Sequence, residues 1–143
     1  MHVAQAASPH TMRVLHETGE QVPVHSTAIG KALLAQFSDE EARRALHRAG
    51  MPARTQFTIT DEDALISDLK LTRSRGYAEE NAENDIGVRS IAAAIPGVRL
   101  SVAIAISGPT ARLSHDAAAE FAPIVRSTAA DIRDALRGRR DES

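Results

Sequence analysis

Four acidic residues occur within seven positions, from Glu79 to Asp85. Clustered carboxylates are the oxygen ligands that Mg²⁺ and Ca²⁺ prefer, so a metal site is one interpretation of this run. The run lacks the ligand spacing and the central glycine of an EF-hand loop, however. A solvated loop that carries its charges into water is therefore the favoured interpretation, and we predict neither a bound metal nor a cofactor.

Six histidines and no cysteine restrict the other chemistry that this chain could perform. No two histidines have the i, i+4 spacing that binds zinc on one helix face. His25 and Ser26 are adjacent, so on an extended segment their side chains diverge and cannot form a nucleophile–base pair. No Gly-x-Ser-x-Gly elbow occurs, and Gly30-Lys31-Ala32 lacks the rest of a phosphate-binding loop. We therefore predict a structural role for His25. We also predict that the chain has no catalytic residues and is not an enzyme.

Serine also occurs in two apolar runs whose residues alternate in size. Residues 100 to 107 read Leu-Ser-Val-Ala-Ile-Ala-Ile-Ser, and the preceding run carries Ser90, Ala92 and Ala94 as a similar small set. Successive side chains of a strand point to opposite faces, so one face would carry the bulk and the other almost none. Two interpretations remain open: a helix packs closely on the small face, or the missing volume is a pocket whose hydroxyls bind a small polar ligand.

A turn signal separates these two runs. Pro96-Gly97 suits the central positions of a type II turn, so residues 87 to 108 predict an antiparallel hairpin. If the register pairs small residues with small ones, the sheet presents a shallow apolar floor that carries two or three hydroxyls.

Four helices are predicted around the hairpin, each preceded by a hydroxyl residue that can cap it. Their predicted bounds are Ser26 or Thr27 to Phe37, Ser38 to about His47, Thr60 to Gly76, and Ser114 onward. Gly30 lies inside the first helix, where it costs about 1 kcal/mol relative to alanine and indicates close approach of another element or of a ligand. Pro123 should kink the last helix or mark its true start. This order of elements predicts an α+β domain with an antiparallel sheet.

Length and composition are those of one soluble globular domain. The chain has 143 residues, 43% of them hydrophobic and 25% charged, and a formal net charge of −2. A basic nucleic-acid surface is therefore not expected, and 3% aromatic residues argue against a base-stacking platform. No apolar run reaches the roughly 18 residues of a membrane span. No secretory signal is visible, and the lack of cysteine fits a cytoplasmic protein.

Residues 23 to 35, Pro-Val-His-Ser-Thr-Ala-Ile-Gly-Lys-Ala-Leu-Leu-Ala, resemble the signature of IclR-type transcriptional regulators. Further motifs of that family follow in order, namely Thr58-Ile-Thr-Asp61, Arg75-Gly-Tyr77, Glu83 with Gly87-Val-Arg-Ser-Ile-Ala-Ala93, and Ile106-Ser-Gly-Pro109. The resemblance covers residues 10 to 137. It implies that residues 1–143 are a C-terminal effector-binding domain, a GAF/PAS-like antiparallel sheet flanked by helices. We expect the sequence to lack the family's N-terminal winged helix-turn-helix, and also the helix and strand that usually open the effector domain.

In this family the effector, a small carboxylate or aromatic acid, lies over the sheet beneath the helix that carries the Gly-Lys pair. Position by position, the resemblance implies an effector site made of Thr11, Val14, Ala28, Ile29, Gly30, Glu80, Ser90, Ala105 and Ser107. Ser90 replaces a cysteine common in the family, and Glu80 stands for an aspartate, so the sequence does not specify one effector. Lys31 is expected to point outward, which leaves no cation clearly placed to pair with the carboxylate.

The resemblance also implies a homodimer or homotetramer in which the effector alters subunit arrangement and the DNA binding of the intact protein. DNA contact would come only through the N-terminal domain, and no membrane is involved. A second hypothesis is a stand-alone GAF-like interaction or oligomerisation domain whose pocket is filled by its own side chains. A third is an enzyme or metal-binding module that uses His25 and Glu80.

Overall fold

The structure is a computed structural model that describes residues 12–14, 23–96 and 102–141. Within these residues the elements are β1 (Met12–Val14), α1 (Ala28–Leu34), α2 (Asp39–Ala49), α3 (Glu62–Arg75), β2 (Ala78–Asn81), β3 (Val88–Ala94), β4 (Ala103–Pro109) and α4 (His115–Asp141). The strands form one antiparallel sheet in the order β1-β4-β3-β2. The predicted α+β class, an antiparallel sheet flanked by helices, is confirmed.

The predicted hairpin is formed by β3 and β4, and its register sets small residues opposite small ones. The three small pairs are Ser90 with Ser107, Ala92 with Ala105, and Ala94 with Ala103. We call the side of the sheet that carries these residues the small-residue face. The predicted type II turn includes Gly97, which lies outside the described residues.

Different helices cover the two faces of the sheet. α4 packs on the face that carries the large residues, where the buried cluster includes Ile91, Ile95, Ile104, Ile106, Leu113 and Val125. α1 packs on the small-residue face, where its alanines form a cluster with those of the strands: Ala28, Ala32, Ala78, Ala92, Ala103 and Ala105. Close packing of a helix, the first of the two interpretations, is therefore confirmed for the alanine part of this face.

Side-chain caps set the starts of the first two helices. The hydroxyl of Thr27 accepts a hydrogen bond from the Gly30 N–H at 3.0 Å, and α1 then ends at Leu34, short of the predicted end. Ser38 and Glu41 form the predicted capping box at the start of α2. Local hydrogen bonding therefore determines where each helix begins, as the sequence indicated.

The last two helices differ slightly from the prediction. α3 is capped by the carboxylate of Asp61 rather than by Thr60, and it ends as predicted at Gly76, whose φ of 87° lies in the left-handed region. Pro123 lies within α4, which begins at His115. The alternative that this proline marks the start of the helix is therefore wrong.

Gly30 is a glycine because another segment of the chain approaches α1 closely. A Cβ atom at this position would lie 2.5 Å from the Cα of Val24 and 2.7 Å from the carbonyl oxygen of Pro23. The helix-propensity cost of glycine is thus offset by contact between the start of α1 and the residues that lead into it.

Candidate functional site

A row of polar residues crosses the small-residue face. Glu80 of β2 pairs with Ser90 of β3, and Ser90 pairs with Ser107 of β4. Directly opposed residues of antiparallel strands share a face, so we call these three residues the polar row. The hydroxyl oxygens of Ser90 and Ser107 are 2.7 Å apart, and Glu80 is only 4% exposed. The structure thus brings together three of the predicted effector-site residues.

The predicted site residues of α1 lie over the same face. Ala28 packs in one cluster with Ala105, which lies two residues before Ser107 of the polar row on β4. Ile29 lies partly buried against that cluster. Gly30 is also buried, against the segment that precedes the helix. Their role in binding an effector stays a prediction.

Two further predicted residues belong to the N-terminal part of the chain. Thr11 lies outside the described residues. Val14 belongs to β1 and pairs with Ile104, whereas Arg13 pairs with Ala105. The register therefore sets Arg13, and not Val14, opposite a residue of the small-residue face, and the place of Val14 in the site stays a prediction.

Lys31 is buried, so the prediction that it points outward is wrong. It is 1% exposed, and its ammonium nitrogen lies 2.6 Å from Glu83 Oε1 and 2.9 Å from Asp68 Oδ2. It also donates to the backbone carbonyl of Glu79 at 3.1 Å. Two opposite charges and one backbone hydrogen bond therefore make the burial of this ammonium tolerable. The sequence did contain one signal for this burial: helical spacing sets Lys31 on the same face as Ala28.

The acidic run is not a solvated loop, and that prediction is also wrong. Its first part forms strand β2, and both Glu80 and Glu83 are buried. Glu83 Oε2 accepts from the Asn81 N–H at 2.9 Å, while the Glu83 N–H donates to Glu80 Oε2 at 2.9 Å. Ala82 has a φ of 55°, which folds the run back on itself. Backbone donors and Lys31, rather than water, therefore stabilise these carboxylates.

Hydroxyl groups fasten the turn at residues 82–85 to its neighbours. Thr55 donates to the carbonyl of Ala82 and Thr58 to the carbonyl of Glu83, each at 2.6 Å. Ser26 donates to the side-chain oxygen of Asn84 at 2.9 Å. The segment before α1 and the turn after β2 are therefore joined beside the polar row.

His25 has the structural role that the sequence predicted. It is 2% exposed, and its Nε2–H donates to the backbone carbonyl of Pro52 at 2.8 Å. In the part of the chain that the structure describes, no group of three His, Asp or Glu side chains is arranged to hold a metal ion.

Electrostatics distinguishes Glu80 from the other members of the polar row. Burial raises the pKa of its carboxyl group to about 7, against the opposing effect of the hydrogen bond from the Glu83 N–H. The carboxylates of Glu83 and Asp85 raise this pKa further, and the ammonium of Lys31 lowers it. Glu80 can therefore gain or lose a proton near neutral pH.

A surface depression lies elsewhere, on the outer side of α2. It is lined by Glu40, Arg43, Arg44, His47, Arg48 and Glu62. Its charges pair with one another, since Glu62 lies 2.7 Å from Arg43 and 2.8 Å from His47. This depression contains none of the predicted effector-site residues and presents a set of surface ion pairs.

The sheet, the short helix over its small-residue face and the long helix behind it define a GAF-like α+β domain. No helix among the described residues is long and apolar enough to cross a membrane. The family described as Bacterial transcriptional regulator IclR C-terminal matches residues 1–134. The chain belongs to this family, which forms the regulatory half of transcription regulators.

Individual relatives agree with this assignment. The transcriptional repressor IclR of Escherichia coli strain K12 is 36% identical over 140 residues, which cover 96% of this chain and 51% of the relative. The chain thus spans about half the length of the curated relatives it matches. These relatives are transcription regulators rather than enzymes.

Solved structures show the same fold. The C-terminal domain of the E. coli transcriptional regulator KdgR is 31% identical with a TM-score of 0.74, and the match covers 91% of this chain and 83% of that one. The inducer-binding domain of an Acinetobacter PobR double mutant, in complex with 3-hydroxybenzoic acid, has a TM-score of 0.73 at 23% identity. That match covers 90% of this chain and 85% of the other, and it shows similarity of fold alone.

Proposed function

We propose that this domain senses a small organic acid that binds at the polar row, beside the start of α1. Binding then alters the arrangement of subunits in a homo-oligomer and, through a separate DNA-binding domain, the DNA binding of the intact regulator. The observation that carries this proposal is the polar row itself, in which Glu80, Ser90 and Ser107 lie beside the alanines of the same face.

The hydroxyl pair suits a carboxylate. Ser90 and Ser107 lie 2.7 Å apart, so one hydroxyl donates its single proton to the other. The accepting hydroxyl keeps its own O–H, which is free to donate to a carboxylate oxygen. Neighbouring Ala92 and Ala105 carry minimal side chains, and a mostly apolar surface with a few convergent polar groups is typical of small-molecule sites.

The surroundings of the polar row provide a route from binding to conformational change. A ligand beside the start of α1 would adjoin the segment that holds Ser26 and the turn that holds Asn84, which are joined by a hydrogen bond. Sensing requires that the ligand bind one arrangement of these segments better than another. Differential affinity, and not a chemical step, would then be the function of the site.

Calorimetric titration of the chain with glyoxylate, pyruvate, 4-hydroxybenzoate and 3-hydroxybenzoate tests this proposal. At least one acid should bind, and a concentration of 100 times its Kd should stabilise the fold by about 2.7 kcal/mol. Changing Ser90 and Ser107 together to alanine should weaken that binding about tenfold or more, because a hydrogen bond to a charged group is lost. The same exchange at exposed Ser127 is the control and should leave the affinity unchanged. Binding that the double variant leaves intact would contradict the site.

The second candidate function is a GAF-like interaction module with no ligand. The packing of Ala28 and Ala32 against the alanines of the sheet favours it, because the helix fills part of the space over the small-residue face. In that case the chain would bind none of the four acids. Sedimentation equilibrium would then show self-association that the acids do not change.

A further inference from the structure

Glu80 is the titratable member of the polar row, and its two oxygens have different environments. Oε2 accepts the hydrogen bond from the Glu83 N–H at 2.9 Å. Among the described residues, no cation forms an ion pair with Glu80. The nearby ammonium of Lys31 forms ion pairs with Asp68 and Glu83 and donates a hydrogen bond to the backbone carbonyl of Glu79. Oε1 is therefore the oxygen that remains to interact with a ligand.

Among the side chains that the structure describes, the charges around Glu80 are mainly negative. The turn after β2 contributes Glu83 and Asp85, and α1 contributes Lys31, whose charge is shared with Asp68 of α3. The neighbouring strand β3 contributes the uncharged Ser90. A carboxylate ligand at the polar row would therefore meet an excess of acidic groups if Glu80 were ionised.

On the opposite side of the strands the charges are already paired. Glu79, the neighbour of Glu80 on β2, lies 2.9 Å from His115 Nδ1 and 3.9 Å from Arg89 Nε. Arg89 also donates to the carbonyl of Leu113 at 2.9 Å. These groups belong to the α4 side of the sheet and do not compensate a charge on Glu80.

We propose that Glu80 binds the effector in its protonated form, with the Oε1–H donating to a carboxylate oxygen, so that effector binding takes up one proton from solvent. Oε2 keeps the hydrogen bond from the Glu83 N–H as the carbonyl oxygen of the acid. This inference rests on the proposed function, and it makes Glu80 the residue that couples binding of a carboxylate to uptake of a proton.

Two physical effects act in the same direction. Two carboxylates within hydrogen-bond distance cannot both be ionised without a large cost, so the approach of the ligand favours the protonated form. Burial has already raised the pKa of Glu80 to about 7, so near neutral pH little further free energy is needed to hold the proton. Binding and protonation are therefore linked, and raising the pH should weaken binding.

The test is calorimetric titration with pyruvate and with 3-hydroxybenzoate at pH 6.5 and pH 8.5, in two buffers of different ionisation enthalpy. The wild-type chain should take up about one proton per acid bound at pH 8.5, and its Kd should rise about tenfold for each pH unit above the pKa of Glu80. Glu80→Gln should bind with no proton uptake and with the same Kd at both pH values. Exposed Glu40→Gln is the matched control and should behave as the wild type does.

The outcomes separate this inference from the proposed function. Binding of either acid with no proton uptake and a pH-independent Kd overturns the inference and leaves the sensor function intact. Where neither of these two acids binds, the same titrations are made with glyoxylate and 4-hydroxybenzoate, and binding of none of the four acids at either pH overturns both. Proton uptake that persists in Glu80→Gln assigns the proton to another group and overturns the inference. Should Glu80→Gln not fold, ¹³C NMR titration of the wild-type glutamate carboxyl groups, with and without acid, tests the same point: the Glu80 signal must shift to a higher pKa when acid is bound.

Discussion

The two faces of the sheet use the same strands for different purposes. On the side of α4, large residues such as Ile91, Ile104 and Val125 are completely buried. On the side of α1 the strands carry alanine, and the polar row replaces apolar contact with hydrogen bonds. Free energy of burial scales with apolar area, so the first face stabilises the fold far more per residue. The small-residue face gives up that stabilisation and carries the polar groups instead.

The largest effect is expected at the ion cluster that anchors α1 to the sheet. Lys31→Met should cost about 4 kcal/mol of unfolding free energy, because Asp68 and Glu83 are left with uncompensated charge. Urea unfolding measures this. Arg43→Met, which removes a surface pairing with Glu62, is the control and should cost less than about 1 kcal/mol. Equal costs for the two variants would show that burial of the cluster contributes nothing.

The second-largest loss of stability is expected on the face of the sheet that α4 covers. Ile104→Ala should cost about 3 kcal/mol, because it leaves a cavity in a core with no solvent access. The exposed Ile124→Ala on the outer side of α4 should change stability by no more than about 0.5 kcal/mol. Titration of the folded Ile104 variant with an effector acid should give the wild-type affinity, since this side chain faces away from the polar row. A loss of affinity as large as that of the serine double variant would contradict the separation of roles between the two faces.

A smaller effect is expected where α1 meets the segment before it. Gly30→Ala should destabilise the chain by about 2 kcal/mol, although alanine favours a helix, because its methyl group would overlap the backbone of Pro23 and Val24. Gly138→Ala is a matched control, since a Cβ there would meet nothing within 4 Å. It should stabilise α4 by up to about 1 kcal/mol. Stabilisation by both changes in thermal unfolding would mean that the close approach is absent.

These comparisons also show which parts of the fold local sequence could predict. Size alternation and the Pro-Gly pair predicted the hairpin and which residues share a face, because side chains alternate along a strand. The pairing of Ser90 with Ser107 also needed the register, which the sequence left open. The capping box at Ser38 was equally local. Strand β2 was missed, since Ala-Glu-Glu-Asn has the composition of a loop. Its strand structure depends on pairing with β3, which follows it only after a turn.

The polar row of the candidate site could be predicted from the sequence, but the buried ion pairs of Lys31 beside it could not. The resemblance and the size alternation together identified Ser90 and Ser107, and the resemblance identified Glu80. The burial of Lys31 was missed because its acceptors come from distant parts of the chain, with Asp68 on α3 and Glu83 after β2. A single sequence does not show that such distant groups converge on one ammonium.

The smallest effect is a pH dependence of stability that arises from Glu80 on the small-residue face. The pKa of Glu80 is raised from 4.5 to about 7, so the folded chain holds this proton more tightly than the unfolded chain does. The contribution of this proton to the free energy of unfolding is therefore fully present below the unfolded pKa. It falls as the pH rises from about 4.5 to about 7, and it is constant above that range. Glu80→Gln removes this loss and keeps an acceptor for the Glu83 N–H.

Urea unfolding at pH 5 and pH 8.5 measures the difference. Glu80→Gln should be more stable than the wild type by about 1 to 2 kcal/mol at pH 8.5, and by much less at pH 5. Other titrating groups, such as Asp39 and Glu62, whose pKa values are lowered by Arg73 and Arg43 respectively, are common to both proteins and cancel. Glu40→Gln should follow the wild type at both pH values. Parallel pH profiles for Glu80→Gln and wild type would mean that Glu80 is ionised throughout, and the small-residue face would then carry a fixed negative charge that opposes an acidic ligand.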